Sequence, residues 1–354
     1  MQSSKRPLSA FCDRCFSTVF MLLRRARVTE LLQYLAAEFG RSGSELIGGD
    51  RVCDVWKTLF HDPAFSCSLV QAEVPSRHRE IIGLRASVFV YPSVIDGELA
   101  NPQPSLNARV FRGIDSGDPV VLKECDIRNY NTRDGLDIVS LCCWRKETCS
   151  AVQGPEVLAL LASSLLRDFA GYRIKRLLCE SAGLEEAKFL GDSQSWRAVA
   201  SFGDGAVHGY ARRALWLMTR ESGLAVPWSI AAMMFSYREP VLHLHPSDQQ
   251  LLLAALDGMT DQELSHRLGL HLGTIKKRWI SLFDRVTDAH LGLLPDFSVA
   301  HGQKRGPQKR HRVLAYVRAH PEELRPFDVH LAHPGKTGVT ANHVPGALAL
   351  GKSA

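Results

Sequence analysis

The chain has 354 residues, a length that favours two domains over one, and its 45% hydrophobic and 23% charged residues exclude wholesale disorder. The net charge of +6 is too small to indicate nucleic-acid binding unless basic residues are concentrated locally. The nine cysteines are odd in number and spread along the chain, which favours a reducing cytoplasm over a secreted disulfide framework.

The N-terminal 24 residues are predicted to be an extension of the first domain. An apolar stretch at residues 16–23 is followed by Arg24 and Arg25 and not by the small residues of a signal-peptide cleavage site. No apolar run in the chain is long enough for a membrane span, so we expect no membrane association.

Residues 25–240 are predicted to form a mixed-sheet α/β domain, because helical and strand patterns alternate along them. Apolar and β-branched runs predict strands at residues 66–72, 81–91, 136–144, 172–179, 196–202 and 214–219. Amphipathic spacing predicts helices at residues 27–39, 54–60, 156–169 and 184–190. Turn-forming residues predict loops at residues 92–104, 203–209 and 222–228.

Beyond residue 241 the pattern changes to helix alone. Pro246 suits the first turn of a helix that Gly258 ends, and Thr260 or Asp261 can cap a second helix that ends at Gly269. Two short helices joined by a turn and followed by a third helix are typical of a helix-turn-helix, so residues 241–295 are predicted to be an all-α domain of that type.

The third helix, at residues 273–286, has two different faces. Ile275, Trp279, Leu282 and Val286 recur at the spacing of a core-facing stripe. The other side carries the basic run Lys276, Lys277 and Arg278 together with Ile280 and Ser281. A recognition helix packs with one face on its own domain and inserts the other into the major groove. The lysines are therefore predicted to reach guanine acceptors or phosphates, and Ile280 a thymine methyl group.

The run DGMTDQELSHRLGLHLGTIK, residues 257–276, resembles the LuxR/GerE-type DNA-binding domain. The resemblance implies a transcription regulator in which Thr274 contacts phosphate and Lys276, Lys277 and Ile280 contact base edges. It also implies double-stranded DNA and a small-molecule effector as partners, with a homodimer on DNA. His271 stands where that family usually has a serine cap.

Residues 296–326 are predicted to contain a basic amphipathic helix at residues 308–318. Val313, Leu314 and Val317 are expected to pack inward, and the basic side chains Lys309, Arg310 and Arg312 to lie outside. Such a helix could add DNA affinity or self-association, or be a solvated basic tail. Residues 327–354 are small, polar and turn-forming, and we predict that they are disordered.

The order of elements in the first domain is similar to that of GNAT-type acyltransferases. That family has a glycine-rich pyrophosphate loop before a long helix, whereas only Gly154 stands in the corresponding residues 145–156. We therefore predict a sensing relative that is not an enzyme, with no catalytic residue, cofactor or metal site. A sensor domain of the PAS or GAF type is an alternative fold.

These patterns together predict a cytoplasmic, sequence-specific DNA-binding transcription regulator with an N-terminal sensing domain. The alternative is a CoA-dependent acyltransferase-like enzyme that carries a DNA-targeting helix-turn-helix. Saturable binding of acetyl-CoA would favour the alternative.

Overall fold

The structure is a computed structural model that describes residues 20–27, 29–30, 49–73, 80–146, 153–181, 183–207, 210–289, 292–294 and 306–332. Most of the helix predicted at residues 27–39 and most of the predicted tail, residues 333–354, lie outside the described residues.

In the described ranges, strands and helices alternate as far as residue 235 and only helices follow. The α/β part consists of β1 Phe20–Arg25, α1 Gly49–Phe60, β2 Phe65–Glu73, β3 Glu80–Val90, α2 Pro92–Ala100, α3 Leu106–Ser116, α4 Glu124–Thr132, β4 Leu136–Arg145, α5 Gln153–Phe169, β5 Ile174–Ser181, α6 Leu184–Asp192, β6 Arg197–Val207, β7 Tyr210–Thr219, α7 Arg220–Leu224 and α8 Ile230–Phe235. The helical part consists of α9 Pro246–Leu256, α10 Asp261–Leu268, α11 Leu272–Asp288, α12 Gly306–Ala319, a 3-10 helix Pro321–Leu324 and α13 Val329–Ala332.

The strands form one seven-stranded sheet in the order β1-β2-β3-β4-β5-β7-β6. The neighbouring strands are antiparallel except for β4 and β5, which run parallel. The connection between these two strands contains α5, as a parallel pair requires a crossover. The prediction of a mixed α/β sheet domain is confirmed. That the helices after residue 246 form a DNA-binding domain stays a prediction.

Several elements differ from the sequence-based expectations. Strand β1 lies within the predicted N-terminal extension and pairs with β2, Phe20 opposite Glu73. Residues 92–100, predicted as loop, form α2, in which Pro92 occupies the first helical turn and Ile95 is fully buried. The predicted loop at residues 222–228 begins inside α7, because Thr219 and Ser222 form a capping box.

Helix α5 packs closely on the sheet. A Cβ at Gly83 in β3 would lie 2.6 Å from Cγ1 of Val157, so the glycine permits this approach. Beneath the same helix, Arg85 of β3 and Asp168 of α5 form an ion pair whose side chains are 2% and 3% exposed. Arg85 also donates to the hydroxyls of Ser164 and Ser87, which satisfies most of its buried donors.

The segment after α12 connects the helical part to the sheet domain. We call residues 321–332 the C-terminal strap. On one side the carboxylate of Glu323 accepts hydrogen bonds from the backbone N–H groups of Val241 and Leu242, both at 2.9 Å. On the other side Arg325 Nε donates to the carbonyl oxygen of Ala170 at 2.8 Å, and Asn131 Nδ2 donates to that of Pro326 at 2.7 Å. The strap therefore contacts both parts of the chain through buried or half-buried hydrogen bonds.

Candidate functional site

The first candidate surface is built by α9, α10 and α11. Thr260 caps α10: its hydroxyl accepts from the N–H of Glu263, and the Glu263 carboxylate accepts from the N–H of Thr260 at 2.7 Å. Gly269 ends the helix with φ of +63°, in the left-handed region that favours glycine. This local chemistry sets the turn between α10 and α11.

His271 takes the N-cap position of α11. Its backbone is extended, and its Nδ1 accepts a hydrogen bond from the N–H of Gly273 at 3.1 Å. An imidazole nitrogen thus supplies the acceptor that a serine hydroxyl supplies in the LuxR/GerE pattern. The departure at this position leaves the start of α11 capped.

The two faces of α11 divide as the sequence predicts. Ile275, Trp279, Leu282 and Val286 are all buried. Five of the six predicted DNA-binding residues are exposed: Thr274, Lys276, Lys277, Ile280 and Ser281. Ile280 is 59% exposed, so its side chain is accessible on the same face as the lysines.

Arg278, the sixth predicted DNA-binding residue, is less exposed than the other five. It is half-buried, and its Nη1 donates to the carbonyl oxygen of Ser247 in α9 at 3.3 Å. The contact joins α11 to α9, so Arg278 positions α11 in this structure.

Helix α12 completes the core of the helical part. Val313, Leu314 and Val317 are buried, as predicted. The prediction that Arg310 lies outside is wrong: its Nη1 donates to Asp261 at 2.8 Å, and its guanidinium lies over the Trp279 ring. The sequence carried no signal for this contact, because Asp261 and Arg310 are far apart in the chain.

The second candidate site is an opening inside the sheet. Strands β4 and β5 pair from Leu136 with Ile174 to Ser140 with Cys179, and no later pair joins them in the described strands. Beyond these residues β4 continues along β3 to Arg145, and β5 continues along β7 to Ser181.

A β-bulge lies where the two strands separate. In the pairing with β3, Ser140 is opposite Ser87 and Cys142 is opposite Ala86, so Leu141 is the extra residue. A bulge bends its strand and increases the local twist. The bulge coincides with the point at which β4 and β5 cease to pair, after Ser140 and Cys179.

Three cysteines and a glutamate lie close to this opening. Burial, followed by the charge of Glu186, raises the pKa of the Cys143 thiol to about 12. Burial also raises the pKa values of Cys142 and Cys179 well above their ordinary value. All three thiols are therefore protonated at neutral pH, and none of them is an activated thiolate nucleophile.

The end of β4 meets the first turn of α5 at the mouth of the opening. The guanidinium of Arg145 packs over Gly154, where a Cβ would overlap it, and it is 3.9 Å from Glu185. Its side chain is 22% exposed. The arrangement places a cation beside the positive end of a 17-residue helix, a combination that suits a phosphate group. Residues 147–152 of the expected pyrophosphate loop lie outside the described residues.

The described ranges contain no group of three or more His, Cys, Asp or Glu side chains that could hold a metal ion. They also contain no helix of the length and apolarity that a bilayer crossing needs.

No protein-family model matches the chain, and a search of curated proteins found no match. Solved structures do show similarity. The C-terminal condensation domain of Ebony in complex with beta-alanyl-dopamine is 13% identical, over 57% of this chain and 99% of that one, with a TM-score of 0.35. FeeM, an N-acyl amino acid synthase from uncultured soil microbes, is 9% identical, over 58% and 95%, with a TM-score of 0.31. A mosquito arylalkylamine N-acetyltransferase (like 5b) is 11% identical, over 56% and 100%, with a TM-score of 0.31.

These neighbours cover 56–58% of the chain, their names include an N-acyl amino acid synthase and an N-acetyltransferase, and they do not bear on the LuxR/GerE resemblance. The prediction that the protein is not an enzyme is withdrawn, because the neighbours named are a condensation domain, an N-acyl amino acid synthase and an N-acetyltransferase. With TM-scores below 0.5 the similarity transfers no substrate or mechanism, so function has to be argued from this chain's own sheet and helices.

Proposed function

We propose that the protein is an acyltransferase-type protein that binds an acyl thioester in the opening between β4 and β5, and that its helical part attaches it to double-stranded DNA. The separation of the sheet's parallel pair after Ser140 and Cys179 carries the first half of this proposal. Strand edges rarely stay unpaired inside a sheet, because buried backbone groups without partners are costly.

An acyl derivative of coenzyme A has the chemistry that this opening needs. Its pantetheine arm is an extended chain with two amide groups, which can donate to and accept from the unpaired edges of β4 and β5. Its phosphates would lie at the mouth, near Arg145 and the first turn of α5. Since the neighbouring thiols of Cys142, Cys143 and Cys179 are held protonated, direct transfer to an acceptor is favoured over a cysteinyl intermediate.

Calorimetric titration of the full chain with acetyl-CoA tests the first half. We expect saturable binding, weakened about tenfold by Arg145→Ala because a charge-assisted contact to phosphate is lost. Arg133→Ala is the matched control, since Arg133 is exposed just before β4, at the end where β4 and β5 are still paired, and its loss should change nothing. Absence of saturable binding to a folded sample would contradict the proposal.

The second half rests on a separate observation, the exposed basic face of α11. Lys276, Lys277 and Ile280 project from one helix whose other face is buried, which is the division of a recognition helix. A protein with this surface can act as a sequence-specific DNA-binding transcription regulator. In that case the acyl-binding domain would determine when or where the helical part binds DNA.

Selection from genomic fragments, followed by a salt titration, tests the DNA proposal. Lys276→Ala combined with Lys277→Ala should abolish selective binding and reduce the slope of log K against log salt by up to about 2. The same double change at Lys123 and Lys175, two exposed lysines of the sheet domain, should leave both quantities unchanged. Affinity that is insensitive to salt would indicate a protein-binding module and would sink the DNA assignment.

A further inference from the structure

A large cleft lies between the sheet domain and the helical part, with a volume of about 1310 Å³. We call it the interdomain cleft. One wall is formed by the start of β2 and the C-terminal end of α5, and the other by α9, α10, α12 and the C-terminal strap. Helix α5 has 17 residues and is about 25 Å long, and the opening between β4 and β5 lies at its other end. The cleft is thus separate from the acyl-binding opening.

Arginines dominate the charge of the interdomain cleft. Its lining contains Arg25, Arg167, Arg238, Arg267, Arg318 and Arg325. The acidic residues of the lining are Asp168, Asp257 and Glu322, and each already has a basic partner: Arg85, Arg267 and His320, respectively.

Two of these arginines are available for a ligand. Arg25 and Arg238 are both exposed, and neither side chain has a hydrogen-bond or ion-pair partner among the described residues. At the floor of the cleft Arg167 donates to Ser68 at 2.6 Å and contacts Asp168, so two guanidinium groups, Arg85 and Arg167, share one carboxylate. The cleft therefore has an excess of positive charge from its floor to its rim.

The same cleft exposes apolar side chains from both walls. Met233 of the sheet domain is 46% exposed, and Leu253 of α9 is 41% exposed. The aromatic rings of Phe60 and Phe65 also contribute to the lining. An occupant that covers these groups would remove apolar surface from water, which stabilises a complex.

We propose that the interdomain cleft binds a small amphipathic carboxylate, with its acidic group among the arginines and its aliphatic chain on Leu253 and Met233. Charge complementarity excludes a cation, and the exposed apolar side chains favour a chain-bearing acid over a simple inorganic anion. Such a ligand contacts both walls and so favours one relative position of the two parts of the chain. The proposal does not depend on acyl-CoA or DNA binding.

Dodecanoate is the probe, titrated calorimetrically into the full chain below its micellar concentration. We expect saturable binding, at least tenfold tighter than that of dodecan-1-ol, which has the same chain and no charge. Leu253→Asp and Arg238→Glu should each weaken dodecanoate binding at least tenfold. Leu224→Asp is the matched control, because Leu224 is 42% exposed and is not part of the cleft lining.

Circular dichroism establishes that each variant is folded. We expect folded variants because Arg238 and Leu253 are both exposed. The proposal is overturned by the absence of saturable dodecanoate binding, by equal affinity for dodecan-1-ol, or by an equal loss of binding in Leu224→Asp. Because neither acetyl-CoA nor DNA is present, these outcomes are independent of the two tests of the proposed function.

Discussion

The guanidinium carbon of Arg310 lies 4.8 Å from the centre of the Trp279 ring. The same guanidinium donates to Asp261 at 2.8 Å, and the Trp279 indole N–H donates to the same carboxylate at 3.2 Å. One residue of α12 thereby joins α10 and α11. Helix α12 therefore belongs to the core of the helical part and is not an appended basic tail.

Replacement of Arg310 tests this role of α12. Arg310→Ala removes a half-buried ion pair and the contact with Trp279, so we expect the free energy of unfolding to fall by about 1–2 kcal/mol. Arg312→Ala removes an exposed guanidinium from the same helix and should cost less than about 0.5 kcal/mol. Urea denaturation of the full chain measures both, and equal losses would contradict the role given to Arg310.

Substitution of two glycines tests whether the C-terminal strap packs against Gly171. Gly171 has φ of +84°, and a Cβ there would overlap the backbone of Pro321 and Glu322. Gly117 has nearly the same conformation, φ of +78°, with no atom near the Cβ position. Gly117→Ala should cost about 1 kcal/mol from backbone strain alone. Gly171→Ala adds the overlap and should cost about 1–3 kcal/mol more.

Urea unfolding gives these two values, and limited proteolysis after residue 320 shows whether the strap has been displaced. If the two alanine variants are equally stable, the strap does not lie against Gly171.

The buried ion pair of Arg85 and Asp168 predicts that the effects of substituting these two residues on stability are not additive. Arg85→Met leaves a buried carboxylate without its main partner and should destabilise the fold by about 3–5 kcal/mol. The double variant Arg85→Met with Asp168→Leu removes both charges and should recover most of that loss. A double-mutant cycle from urea unfolding measures the interaction, and additive losses would show that the two groups do not interact.

The cysteines at the sheet opening predict that the free energy of unfolding depends on pH in the alkaline range. The pKa of Cys143 is raised from 9.0 to about 12, so the folded state keeps its proton where the unfolded thiol ionises. The stability that this protonated thiol contributes is complete below pH 9 and is lost as the pH rises toward 12. The free energy of unfolding should therefore fall more steeply above pH 9 in the natural chain than in Cys143→Ala.

Alkylation by iodoacetamide gives an independent measurement at pH 7.5. Cys125 is exposed and should react at least tenfold faster than Cys67 and Cys143, whose pKa values are about 12. Equal rates, mapped by mass spectrometry, would show that Cys67 is not buried and that neither thiol is held protonated.

Features that depend on a few neighbouring residues were determined by the sequence alone. The order of the three helices α9 to α11, the Thr260 cap, the Gly269 end and the buried stripe of α11 follow from periodicity and capping chemistry within one or two turns. Five of the six predicted reading residues share one exposed face for the same reason.

The tertiary structure decided everything that joins distant segments. Pairing with β2 makes residues 20–25 a strand, and β4 and β5 cease to pair beside the bulge at Leu141. Arg310 turns inward because Asp261 and Trp279 lie beside it in space, and the arginines of the interdomain cleft come from elements at both ends of the chain. Local propensity cannot report such contacts, because their free energy comes from groups that approach one another only when the chain is folded.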